Sequence, residues 1–304
     1  TDKRIVPVWA VKNNKLKKTS RNPISKTAKV LGAFTDQVQA APTVTREVIG
    51  SIREVRNNPD YVSVFQAPRS ILNQPVSSSR RFAAQSYALP RLRMIAKKLG
   101  MTINDVVLAI CSGAMRAYLL NQRALPKKPL IAMVPVSLRQ DASDSGNQIT
   151  MILANLATHR PDPIERIEMI HRSVQNAKAR FGRMSQTEII NYSGIVYSVA
   201  GLNLMSGILP KLQAFNLVIS NVPGPREPLY WNGAQLDALY PVSIVMDGQA
   251  INITLTSYMD KLEVGITACR KTLPRIQSLL SLLEDEIQTF EQLTAHLPTP
   301  EAKS

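Results

Sequence analysis

Asn104 and Asp105 stand in the segment Thr102-Ile103-Asn104-Asp105-Val106-Val107-Leu108-Ala109, where an amide and a carboxylate open an otherwise apolar helical run. An amide in a first turn beside an apolar face can donate to a substrate carbonyl or orient another polar side chain. The same residues have a structural reading. Thr102, three residues before Asp105, makes a variant capping box with Asp in place of the usual Glu or Gln. The Thr102 hydroxyl can accept from the Asp105 N–H, the acid suits the positive end of the helix dipole, and such a cap contributes about 1 kcal/mol. A second candidate is Ile219-Ser220-Asn221-Val222-Pro223-Gly224-Pro225. An apolar strand ending in Ser220 and Asn221 places two hydrogen-bonding side chains before a rigid turn. Either Asn221 supports that turn or the pair contacts a bound substrate. Arg80, Arg81 and Arg139 are the candidate anion contacts, since the guanidinium fork matches phosphate oxygens; the alternative is solvated charge.

Other chemistries find little support. The histidines are His159, His171 and His296, and none has a His, Cys or carboxylate partner at metal-ligand spacing. Surface or helix-packing roles are expected for all three, and no metal site is expected. Cys111 and Cys269 are far apart, each in an apolar run, and read as buried thiols in a reducing compartment. No Gly-x-Ser-x-Gly elbow, phosphate loop or dinucleotide fingerprint occurs.

The elements that must position these residues can be read coarsely. The 304 residues are 44% hydrophobic, enough for one large core or two modest ones. Net charge is +15, and the first thirty residues hold nine basic groups against Asp2 alone. That run is either a solvated segment or a surface attracted to anionic headgroups or to phosphates. Aromatics are only 5% and do not interleave with the basic residues, which argues against nucleic acid. The chain opens at Thr1, not Met, with charged residues instead of an apolar leader; such a start is expected of a processed product or of one piece of a longer polypeptide. Residues 1–75 read as a basic linker and helical lead-in, and 76–304 as the compact domain.

Helices are expected over Leu89–Leu99, Ile103–Leu120, Pro163–Phe181 and about Pro274–Leu293. Strands are expected over Leu130–Leu138, Gln148–Thr158, 214–221, Gln249–Tyr258 and Leu262–Ala268, the last two forming a hairpin. Pro135 suggests an edge or bulge in the first of these. The fold class is α/β, in the α+β two-layer sense: a mixed sheet flanked by helices. Ile189–Pro210 runs 22 residues without a charge. Its glycines and polar residues favour a buried helical pair, or a surface lying on a membrane or lining a lipid groove, over a bilayer span.

Taken in order, Ser79-Arg80-Arg81-Phe82, the Asn104-Asp105 segment, Met133–Arg139, ISNVPGP and the Asn252–Tyr258 strand resemble the bacterial wax ester synthase/acyl-CoA:diacylglycerol acyltransferase family. The resemblance runs from about Asn73 to the last helix. It implies one half of the two-domain chloramphenicol-acetyltransferase-like acyltransferase fold, specifically the C-terminal half. It also implies transfer of a fatty acyl group from acyl-CoA, a substrate and not a resident cofactor, to a long-chain alcohol or diacylglycerol. In the family the second His of HHxxxDG is the general base, and no such motif occurs here. This chain alone is therefore expected to be inactive and to need an N-terminal piece of the same protein bearing that motif. Asn104 and Asp105 match the family's second motif as supporting catalytic residues. Ser220, Asn221, Arg80, Arg81 and Arg139 are expected to bind acyl-CoA through its thioester, pantetheine arm or phosphates. A non-catalytic lipid-binding module on the same fold is the alternative. The expected location is the cytoplasm, peripheral on the inner membrane or on lipid inclusions.

Overall fold

The computed structural model describes residue 62 and residues 66–137, 149–184, 188–189 and 213–298, all within one unit, Ile49–Ser304. The basic N-terminal run, the expected helices before residue 58, Arg139 and nearly all of the uncharged 189–210 stretch lie outside them.

Among the described residues, four long helices form one layer. α1 (Leu89–Leu99) has Pro90 in its first turn, where no N–H is missed. It buries Leu89, Leu92, Ile95 and Ala96 at helical spacing and stops at Gly100, whose φ of 64° only glycine adopts freely. α2 (Ile103–Asn121) is buried on nearly every side, with Val106 to Met115 all inside. It is long and apolar enough to cross a membrane, yet it is a core helix, packed by α1, α3 and α4 and touching the sheet. α3 (Pro163–Phe181) begins at Asp162, whose Oδ1 accepts from Glu165 N at 2.7 Å. α4 (Ser278–Thr294) lays Leu279, Leu283, Ile287 and Phe290 against the core.

The second layer is a mixed sheet of β1 (Arg80–Ala88), β2 (Ile131–Ser137), β3 (Ile149–Asn155), β4 (Leu217–Val222), β7 (Ile251–Tyr258) and β8 (Lys261–Cys269). Its order is β1-β8-β7-β4-β2-β3. A separate two-stranded hairpin, β5 (Tyr230–Trp231) and β6 (Ala234–Gln235), turns through Asn232 and Gly233, both at positive φ. The β7–β8 hairpin is as expected, turning at Met259 and Asp260. β2 is an interior strand, a difference from the edge that Pro135 suggested. Its pairing to β4 runs over Ala132 and Met133, so Pro135 withholds no ladder bond from that neighbour.

Alternation gives the sheet two unlike faces. Leu262, Val264 and Leu255 meet Leu92, Val107 and Leu283 of the helices. The opposite face carries Glu263, Gly265 and Thr267 of β8. Beside them lie Thr256, Thr254 and Asn252 of β7 and Ser86, Ala84 and Phe82 of β1. Residues 236–248 cross this polar face. A Cβ added to Gly265 would stand 1.8 Å from the Pro241 carbonyl oxygen, so only glycine admits the crossing.

Residues 66–79, which include the end of the expected lead-in, are stitched to this domain. Leu72 is fully buried, and Asn73 Nδ2 donates to the carbonyls of Phe215 and Gly248. Asn216 Nδ2 in turn donates to Asn73 Oδ1 and to Pro68 O.

Candidate active site

At the start of α2 the expected capping box is complete. Thr102 Oγ1 accepts from Asp105 N at 3.2 Å, and Asp105 Oδ2 accepts from Thr102 N at 3.1 Å. The Thr102 hydroxyl also donates to Oδ2 at 2.7 Å. A further partner arrives from α3: His171 Nδ1 lies 2.9 Å from Asp105 Oδ2. Asp105 is fully buried, while the other carboxylate oxygen, Oδ1, has no hydrogen bond. Asp105 therefore cannot touch a substrate through Oδ2, which is occupied. It acts as an anchor that fixes the first turn of α2. Asn104, beside it, is half-buried and its amide has no hydrogen bond among the described residues. That is the condition of a group free to bind something else.

The ISNVPGP segment divides across the sheet. Asn221 pairs in register with Leu255, on the face α2 covers, and Leu255 touches the same small gap as Val107, one turn beyond Asn104. Ser220 pairs with Thr254 on the opposite, polar face. The turn does not use Asn221. It is held by Gly224 N donating to Ser257 Oγ at 3.0 Å and Met259 N donating to Pro225 O at 2.9 Å. Gly224 is needed because an added Cβ would lie 2.1 Å from the Ser257 carbonyl oxygen. On the polar face Glu263 is fully buried. The Ser86 hydroxyl donates to its Oε2, and Tyr240 OH lies 2.9 Å from Ser86 Oγ. Glu263 Oε1 and Thr267 Oγ1 are buried without partners.

Arg80 and Arg81 open β1 with side chains on opposite faces. Arg80 Nη1 donates to the Ser77 carbonyl, and Arg81 Nη1 to Gln277 Oε1 at 3.5 Å. The two cysteines differ sharply. Burial pushes the Cys111 thiol up to about 12. At Cys269 burial also raises the value, but donors from Ser77 and Thr272 outweigh it and bring the thiol down to about 6. No cluster of metal-ligating side chains occurs among the described residues.

The structure thus places Asn104, Asp105 and Asn221 on the helix side of the sheet, with Ser220 across it and Arg80 and Arg81 at the far start of β1. Sequence reasoning missed His171 as the partner of Asp105. The two are separated by 66 residues, and a lone histidine inside an amphipathic helix carries no pairing signal. It also missed Glu263, whose surroundings depend on β1.

Two family models match the chain. Residues 2–107 match the wax ester synthase/diacylglycerol acyltransferase catalytic domain, and residues 145–291 match the WS/DGAT C-terminal domain. The chain belongs to the wax ester synthase/diacylglycerol acyltransferase family. It is 62% identical over 296 residues to O-acyltransferase WSD of Acinetobacter baylyi, covering 97% of this chain and 65% of that protein. A Mycobacterium tuberculosis protein named as a diacylglycerol O-acyltransferase is 46% identical over 230 residues, 75% of this chain and 51% of its own length. Among solved structures, the wax ester synthase/diacylglycerol acyltransferase from Marinobacter aquaeolei VT8 superposes with a TM-score of 0.69 at 46% identity, covering 84% of this chain and 56% of that one. The nonribosomal peptide synthetase FmoA3, at a TM-score of 0.52 and 12% identity over 84% of this chain and 26% of that one, shares the fold alone.

The chain spans between half and two thirds of these relatives' lengths. The expectation of a C-terminal half alone is corrected by the catalytic-domain match over residues 2–107, which takes in Asn104 and Asp105. HHxxxDG is one short motif of that domain, and its absence from these residues does not exclude the rest of the domain. A separate N-terminal partner piece finds no support.

Proposed function

We propose that this protein is an acyl-CoA-dependent O-acyltransferase, passing a fatty acyl group to a long-chain alcohol or a diacylglycerol. The observation that carries the reading is the anchored first turn of α2. It lies inside the catalytic-domain match and presents an uncommitted amide, Asn104, beside a carboxylate already saturated on one oxygen. An amide N–H held this way can donate to the thioester carbonyl and stabilise the charge that grows on its oxygen during attack, a term worth several kcal/mol when preorganised. Asn221 approaches from the same side of the sheet. Arg80 and Arg81 are proposed to meet phosphates of the donor, and Ser220 to meet substrate on the sheet's polar face. No resident cofactor is needed, since the thioester is itself the activated acyl donor. We place the protein in the cytoplasm, where acyl-CoA is made.

The test is release of coenzyme A thiol from a long-chain acyl-CoA with a fatty alcohol or a diacylglycerol present. The expected result is acceptor-dependent release, reduced about 100-fold or more in turnover by Asn104→Ala. Lipid binding with no release under either acceptor would instead identify a non-catalytic lipid-binding module.

A further inference from the structure

Two of the three donors on Asp105 Oδ2 belong to Thr102, in the same turn of chain. They close the cap, but they move with it. The third, His171 Nδ1 at 2.9 Å, comes from another element, α3. A carboxylate only accepts, so Nδ1 donates. The other oxygen, Oδ1, is buried without a partner and adds no restraint. Where the first turn of α2 sits against the rest of the molecule therefore depends on His171 and on packing.

Packing is thin at this end. From Val106 to Met115 α2 is buried throughout, whereas Thr102 is exposed and Ile103 and Asn104 are half-buried. The N–H groups of a first turn also lack partners within the helix. Apolar burial carries no direction. A charge-assisted hydrogen bond does, and it is roughly twice as strong as a neutral one.

The histidine is itself held from both sides. Five residues before it, Arg166 Nη2 donates to Glu286 Oε2 of α4 at 2.6 Å, and Arg166 Nη1 to the Pro161 carbonyl at 2.7 Å. Two residues after it, Ser173 Oγ accepts from Asn155 N of β3 at 3.0 Å. Ile167, Ile170 and Val174 of the same helix are fully buried. α3 is thus tied to a second helix and to the sheet, and it offers a fixed point against which the turn is set. The His171 side chain keeps 32% of its surface exposed, so filling the core does not explain it.

We infer that His171 is a positioning residue for Asn104. Through Asp105 it sets the place and direction of the Asn104 amide, and it does so by donating from Nδ1. The inference rests on the acyltransferase reading, which gives that amide its work on the thioester carbonyl. A group that stabilises charge in a transition state has to be held within roughly half an ångström of its productive place, and a local cap alone does not supply that.

Hydrogen exchange and steady-state kinetics on the protein test it together. His171→Leu keeps bulk and removes the donor, while His171→Asn restores an N–H at the place of Nδ1. In His171→Leu the backbone amides of residues 101–108 should exchange faster than in the parent, and those of α4 should not. Its kcat should fall about 10- to 100-fold, with KM for acyl-CoA and for the acceptor within about twofold. His171→Asn should recover most of both losses. Adding Asn104→Ala to His171→Leu should lower kcat no further than Asn104→Ala alone, because both remove the same contact. Thermal melting checks that each variant is folded at the assay temperature. A lower melting temperature with unchanged kcat per folded molecule makes His171 merely structural and overturns the inference. So does a raised KM at unchanged kcat, or a double variant whose loss is the product of the two single losses. If the parent transfers no acyl group to either acceptor, the acyltransferase reading falls and exchange alone decides the positioning. Unchanged protection of residues 101–108 in His171→Leu then overturns it, and faster exchange reversed by His171→Asn upholds it.

Discussion

Three donors converge on one oxygen of Asp105: the Thr102 amide, the Thr102 hydroxyl and His171 Nδ1. Removing the acceptor strands them in a buried place. Asp105→Ala should therefore cost about 2–3 kcal/mol in urea denaturation, from the lost cap and the lost charge-assisted bonds. Asn104→Ala breaks no hydrogen bond and should stay within about 0.5 kcal/mol, so any loss of turnover there belongs to chemistry. The cap was legible in the sequence because both of its members lie within four residues. Its third member was not, because only tertiary packing brings α3 to α2. Cys269 offers a pH test. A thiol in an unfolded chain titrates near ~8.5, and the native value of about 6 lies below it. The native thiolate thus contributes stability that is complete above about pH 8.5 and is lost as pH falls through about 6. Thiolate ultraviolet absorbance should titrate near pH 6 in the folded protein. Cys269→Ser should abolish that transition, leaving only Cys111, which burial keeps protonated.

Elements pack through close approaches that the residue pattern only partly announces. Helix ends were readable where a cap, a first-turn proline or a glycine marks them, as at Thr102, Pro163 and Gly100. β1 was missed because its sequence, Arg-Arg-Phe-Ala-Ala-Gln-Ser-Tyr-Ala, alternates weakly and runs straight into Leu89 of α1. Its strand identity comes from a full ladder with β8. The β5–β6 hairpin did carry a signal, the Asn232-Gly233 pair suited to a tight turn. The crossing at Gly265 gives the sharpest test at this scale. Gly265→Ala would press a methyl into the Pro241 carbonyl; backbone cannot rotate away as a side chain can, so a loss of about 1–3 kcal/mol in thermal or urea unfolding is expected. The buried pair Arg166–Glu286 joins α3 to α4 at 2.6 Å, with the Glu286 carboxyl lying over Gly113 of α2. Arg166→Ala leaves that acid in place without its partner and should cost about 3–5 kcal/mol.

At the scale of the molecule, the two-layer arrangement was legible because four amphipathic or apolar helices alternate irregularly with strands, which excludes a regular parallel βα repeat. The strand order was not, since neighbours such as β1 and β8 are remote in sequence. That remoteness has a consequence during synthesis. β1 spans residues 80–88, and its hydrogen-bonding partner ends at residue 269. A ribosome adding roughly 5–20 residues per second needs on the order of 10–40 s to make the intervening chain. Throughout that interval the nascent polypeptide carries an unzipped ribbon with Phe82 and Tyr87 on it, a template for wrong partners. Emergence of the last strand, and not of the long core helix, is the event that closes the sheet and ends the exposure.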